Sequence, residues 1–178
     1  MSPILCANCQ NRRVAVADMD LEAFDMKMMR EALSMAKRAA ASGEVPVGAI
    51  LTVDGQIIAR AHNQVEQLCD ATAHAEMICI TTAASDMGQW RLTGSTLYCT
   101  LEPCAMCLGA LIASRVERLV FGAPDIRQGA CGSWVDLIAA RHPIHQLQVH
   151  GGVLVQESAE LLRAFFRARR ESNNGCQP

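Results

Sequence analysis

From Leu21 onward, apolar residues recur at steps of three and four: Leu21, Phe24, Met28, Ala32, Met35, Ala36 and Ala39. That spacing lines one face of a helix. A helix is therefore predicted from Leu21, with Asp20 to cap it and Gly43 to end it. The pattern then changes to two apolar runs, Val45–Val53 and Gln56–Ala61, joined by Asp54-Gly55. That pair tolerates the positive φ of a type I′ turn, so the segment reads as a β-hairpin. A helical stretch follows from Ala71 to about Met87, then a strand over Thr96–Thr100. Pro103 suits the first position of a helix running to about Ser114. Further along, Val116–Phe121 is a strand, Gly122–Gly132 a loop, and Trp134–Ala139 a short helix. Gln146–Val149 and Gly152–Val155 are strand-like, and a last helix spans about Ser158–Arg170.

Strands alternating with helices imply a mixed sheet covered by helices on both faces, the α/β class. A length of 178 residues fits one domain. Residues 20–172 form that domain, between an aperiodic extension (1–19) and a short tail (173–178), both expected to be flexible. With 51% hydrophobic residues the chain can bury a core without disulfide staples. Aromatics are only 4%, so Ala, Val, Leu, Ile and Met must build it.

The net charge of −2 excludes a global positive field for holding nucleic acid, though a local basic strip remains open. No apolar stretch approaches the roughly 18–20 residues of a membrane span. The N-terminus lacks a basic start followed by a long apolar run, so a cytoplasmic protein is expected. The nine cysteines are an odd number, which fits a reducing compartment. In that setting clustered cysteines suggest metal or redox chemistry.

Two segments carry that chemistry: His74-Ala75-Glu76 and Pro103-Cys104-Ala105-Met106-Cys107. Cys104 and Cys107 are three apart and share a helix face. They fall in a first turn, where unpaired N–H groups favour thiolate. Two thiolates and one imidazole make a three-ligand site for one Zn2+ per chain, with a fourth position open to water. Zinc lowers the pKa of such a water to about 7. Glu76 is the candidate to carry its proton. His74 and Glu76 are two residues apart, about 200° around an ideal helix. They converge only if His74 sits at the helix start. The spacing H-x-E…P-C-x-x-C is that of the zinc deaminases.

The chain thus resembles the cytidine-deaminase-like superfamily and, more narrowly, the bacterial tRNA-specific adenosine deaminases. Glu44–Ala49, Asn63, Asp70–Glu76, Thr100–Cys107, Phe121–Asp125 and Phe165–Arg167 carry the likeness, which runs from about Leu21 to Arg170. It implies a three-layer α/β/α fold with a mixed sheet of about five strands. It also implies hydrolytic deamination of the wobble adenosine in a tRNA anticodon loop to inosine, by a homodimer. His74, Cys104 and Cys107 would hold zinc, and Glu76 would shuttle protons at C6 of the adenine. Asn63 and the backbone at Ala75 match contacts to the base. Val47, Leu101 and Pro103 match apolar pocket walls. Asp125 matches a sugar contact, and Phe166 with the arginines beyond it, Arg169 among them, matches a helix that meets the RNA.

Some positions depart from the family pattern. His62 stands where an aromatic is common, Ala71 where proline is usual, and Pro124 where a basic residue is common. The pair Cys6-x-x-Cys9 has no family counterpart. Glu102 reads as a hydrogen-bonding support for the zinc loop, and Cys69, Cys79, Cys99 and Cys131 as small hydrophobes. Two other functions fit the same motif. One is a zinc deaminase of a free base or nucleoside (guanine, cytosine or cytidine). The other is a non-catalytic RNA-binding subunit with structural zinc.

Overall fold

The structure is a computed structural model that describes residues 20–174. The predicted extension with Cys6 and Cys9, and the end of the predicted tail, lie outside those residues. The elements run α1 (Leu21–Ala41), β1 (Gly48–Val53), β2 (Gln56–His62), α2 (Val65–Leu68), α3 (Ala75–Met87), β3 (Ser95–Leu101), α4 (Ala105–Ala113), β4 (Arg118–Ala123), β5 (Gln148–Gly151) and α5 (Val155–Asn174). The five strands form one sheet in the order β2-β1-β3-β4-β5. β1 is antiparallel to both β2 and β3, while β3, β4 and β5 run parallel.

The period-two alternation of strands divides the core into two layers. Ile50, Tyr98 and Val120 face α1 and pack with Met28, Met29, Ala32 and Met35. Their neighbours Leu51, Leu97, Cys99 and Leu119 point the other way, onto Cys79, Ile80 and Ala83 of α3 and Leu108, Leu111 and Ile112 of α4. The sheet is thus sandwiched between helices, as the alternation of elements predicted.

Local chemistry sets the turns. Asp54 and Gly55 both have positive φ, 49° and 73°, as a type I′ hairpin turn requires. Asp20 caps α1 by accepting from the Glu22 backbone N–H at 3.1 Å. Gly48 sits where α1 crosses β1, and a Cβ there would run into the backbone at Ala32 and Ala36. A buried polar bridge ties α1 to β3 and β4. Asp25, 3% exposed, accepts from Arg118 Nη1 at 2.7 Å, Arg118 Nη2 at 2.6 Å and the Tyr98 hydroxyl at 2.9 Å.

Three expectations need correction. The third helix begins at Ala75 and not Ala71, because Asp70 bonds the Thr72 N–H at 2.7 Å and holds the preceding turn. Residues 134–139 are bends around an isolated bridge at Asp136 and not a helix. There Asp136 captures the N–H groups of Ile138 and Ala139, and the chain does not coil further. Gly152–Val155 is no strand: Leu154 has φ 51°, and Gly152 and Val153 both donate to the Phe121 carbonyl, turning the chain into α5. The one-turn helix α2 had no periodic signal, being four residues long. Among the described residues no helix is long and apolar enough to cross a membrane.

Candidate active site

α3 and α4 aim their N-termini at one place. The residue before each helix is extended: His74 has φ −69° and ψ 152°, and Cys104 has φ −72° and ψ 172°. N-cap side chains ordinarily bond the helix's own N–H groups. Neither of these does so. Both turn toward each other. Cys104 Sγ lies 3.7 Å and Cys107 Sγ 3.5 Å from His74 Nδ1. The three ligand atoms all lie within 4.8 Å of one another.

These separations can be set against a metal's needs. Zinc bonds of about 2.3 Å to sulfur and 2.0–2.1 Å to nitrogen, at a tetrahedral angle, place S and N about 3.6 Å apart. The observed distances bracket that value. The donor set is two sulfurs and one imidazole, the set that catalytic zinc takes when it keeps a fourth position for water. The residues therefore fit zinc.

Electrostatics favours the same reading. The Cys107 thiol donates to Cys104 and outweighs its burial; with His74 also beside it, Cys104 is lowered to about 4. Cys107 is pushed up by the Cys104 sulfur beside it and by burial. A divalent cation shared by both supplies the positive charge that lets each be a thiolate. The open N-termini of the two helices add to that field.

Glu76 follows in the first turn of α3, 4% exposed, and burial raises its carboxyl above the usual range. Because His74 precedes the helix, the 200° separation of an ideal helix does not apply. His74 and Glu76 reach the same cleft.

That cleft has a volume of about 900 Å³. His74, Glu76 and Cys104 line it together with Val47, Asn63, Leu101, Asp125 and Phe166, all singled out from sequence. Ala75 and Pro103 are not on its wall. Ala75 is fully buried, and the Pro103 carbonyl accepts from the Ala130 N–H at 2.9 Å. Arg169 is also off the wall, and its guanidinium lies 5.3 Å from the Phe165 ring centre. The wall instead takes Arg163, Arg167 and Arg170, which share a helical face with Phe166. Pro124 lines the cleft where a basic residue was expected, and Arg127 lines it three residues on.

Two acidic residues hold this cleft in shape. Glu102 accepts from the backbone N–H groups of Asp125 at 3.0 Å, Cys131 at 2.9 Å and Ser133 at 3.2 Å. Its support role thus lies in the loop that carries Asp125. Glu44 accepts from Asn63 Nδ2 at 3.1 Å and from the Gln67 N–H at 2.8 Å. Sequence reasoning missed its role, since the partners are 19 and 23 residues away. Of the four remaining cysteines, Cys79 and Cys99 are buried and Cys131 half-buried. Cys69 is exposed, against expectation, and ends α2 in a left-handed conformation.

Residues 22–123 match the model of the cytidine and deoxycytidylate deaminase zinc-binding region. A tRNA-specific adenosine deaminase of Bacillus subtilis is 47% identical over 86% of this chain and 95% of its own length. One from Haemophilus influenzae is 48% identical over 83% of this chain and 86% of its own. A solved structure from a study of A-to-I editing by tRNA:A34 deaminases superposes with a TM-score of 0.74 at 43% identity, covering 76% of this chain and 99% of the other.

Proposed function

The chain belongs to the cytidine and deoxycytidylate deaminase zinc-binding family, beside the tRNA-specific adenosine deaminases, and we propose that it converts the wobble adenosine of a tRNA anticodon loop to inosine. The observation that carries the proposal is the buried Glu76 beside the His74, Cys104 and Cys107 cluster, at a cleft also walled by arginines. His74, Cys104 and Cys107 would hold zinc, which when bound supplies a water with a pKa near 7.

Glu76 takes a proton from the attacking water and delivers it to a ring nitrogen as the water oxygen bonds C6; it then takes the proton of the new C6 hydroxyl and delivers it to the amino group, which leaves as ammonia while C6 becomes a carbonyl. Burial holds its carboxyl above the usual range, which favours keeping the proton between the two transfers. Val47 and Leu101 supply apolar wall for the base, and Asn63 a polar contact to its edge. Asp125 faces the sugar. Its Oδ1 already accepts from the Arg127 N–H at 2.9 Å, which leaves the other oxygen for a hydroxyl. Phe166 offers a ring for a neighbouring base, and Arg163, Arg167 and Arg170 reach phosphates.

We further propose a cytoplasmic homodimer. Trp90, Trp134 and Ile144 are each exposed apolar side chains that a second copy would cover. Conversion of adenosine to inosine at the wobble position of a synthetic anticodon stem-loop tests the reaction. Zinc-loaded protein that binds the stem-loop and leaves the adenosine intact would overturn it.

A further inference from the structure

We infer that Glu44 is a positioning residue that fixes which end of the Asn63 amide faces the substrate. The inference rests on the reading of the cleft as the base-binding site. Glu44 is 1% exposed, and both its oxygens are engaged, Oε2 by Asn63 Nδ2 and Oε1 by the Gln67 N–H. A carboxylate only accepts, so the end of Asn63 that meets it must be the NH2. Charge makes this bond stronger than an amide pair would be.

The other end follows by elimination. No donor among the described residues reaches Asn63 Oδ1, while Ser158 Oγ is the buried side-chain atom left without a partner there. Asn63 Oδ1 is therefore open to solvent, and the surface that Asn63 lines is the cleft. Glu44 thus presents a fixed acceptor to the substrate. Such an acceptor suits a purine edge that carries an amino group and opposes one that carries a carbonyl.

Glu44→Gln inverts this polarity with almost no change of shape. The Gln67 N–H still needs an acceptor, and the new amide oxygen takes it. The new NH2 then faces the NH2 of Asn63, which must turn over and show its own NH2 to the cleft.

The test is a cycle of Glu44→Gln, Asn63→Ala and the double variant, each zinc-loaded and assayed for kcat/KM on the stem-loop. The inference predicts a loss of about 10- to 100-fold for Glu44→Gln, the range for leaving a buried polar partner unpaired in the bound complex. It predicts no further loss when Glu44→Gln is added to Asn63→Ala. Additive losses would overturn it, because Glu44 would then act apart from Asn63. A second readout needs no substrate. In side-chain amide NMR of the wild type, one Asn63 proton should be shifted downfield and protected from exchange, and both properties should vanish in Glu44→Gln while its other signals keep the dispersion of the folded protein. An Asn63 signal indifferent to Glu44→Gln would overturn the inference whatever the enzyme acts on. Absence of wild-type turnover on the stem-loop would count against the proposed reaction alone.

Discussion

Replacing Asp25 with alanine should destabilise the fold by about 3 kcal/mol without touching the chemistry. The aspartate lies 3% exposed between α1 and the sheet and accepts bonds from Arg118 and Tyr98. Breaking a buried ion pair by removing one partner costs about 3–5 kcal/mol, because the other charge is left uncompensated. Arg118 retains 19% side-chain exposure, so water can reach part of the guanidinium and the lower end applies. Tyr98 is 1% exposed, and its orphaned hydroxyl offsets part of that relief. For a domain of this size about 3 kcal/mol corresponds to a fall in Tm of about 6–12 °C. Calorimetry or circular dichroism on the wild type and Asp25→Ala reads it. Arg118→Met added to Asp25→Ala should then restore stability, since it removes the stranded charge. A Tm within about 1 °C of wild type, or a double variant worse than Asp25→Ala alone, would refute the reasoning.

Other predictions follow from the site. Glu76→Gln should keep stem-loop binding and metal content while turnover falls by about 10²–10⁴, the usual contribution of a general acid–base; undiminished turnover would remove Glu76 from the role of proton carrier. Cys104→Ala should lose zinc by elemental analysis of purified protein, and full occupancy would sink the ligand assignment. Chelation should make Cys104 the fastest-alkylated of the buried and half-buried cysteines in peptide mapping, given its pKa of about 4, with Cys79 and Cys99 inert because burial raises both. Burial pushes the Glu102 carboxyl up, but the bonds from Ser133, Asp125 and Cys131 outweigh it and hold it below the usual range. A depressed folded pKa gives stability that is whole above the unfolded value of about 4.3 and lost as pH falls through the folded one. Acid unfolding monitored in wild type and Glu102→Gln should show that increment only in the wild type.

The parts of the fold legible in sequence were those fixed by local rules. The α1 face, the Asp20 cap and the Asp54-Gly55 turn each depend on residues within a few positions of one another. The metal cluster was legible for a different reason: its residue types and spacing are too specific to arise from packing. What escaped was set by backbone pairing and packing that residue types do not announce. The N–H groups of Trp134 and Val135 both bond the Gly129 carbonyl, and Asp136 takes those of Ile138 and Ala139, so the segment does not coil into a helix. Likewise the choice among the α5 arginines turned on how that helix is rotated. Arg169 was taken by Phe165, and its neighbours Arg167 and Arg170 by the cleft. Glu44 escaped because its meaning lies in what it does to Asn63, which only the folded chain brings together.

The central claim is that this zinc site acts on adenosine within an RNA loop. The most direct measurement offers the zinc-loaded protein an anticodon stem-loop with adenosine at the wobble position beside guanine, cytosine, cytidine and free adenosine, with products read by mass. The account predicts inosine in the stem-loop and no conversion of the small molecules. Turnover of a free base or nucleoside with the stem-loop untouched would contradict it, leaving the zinc chemistry in place and the arginine-lined cleft without its RNA.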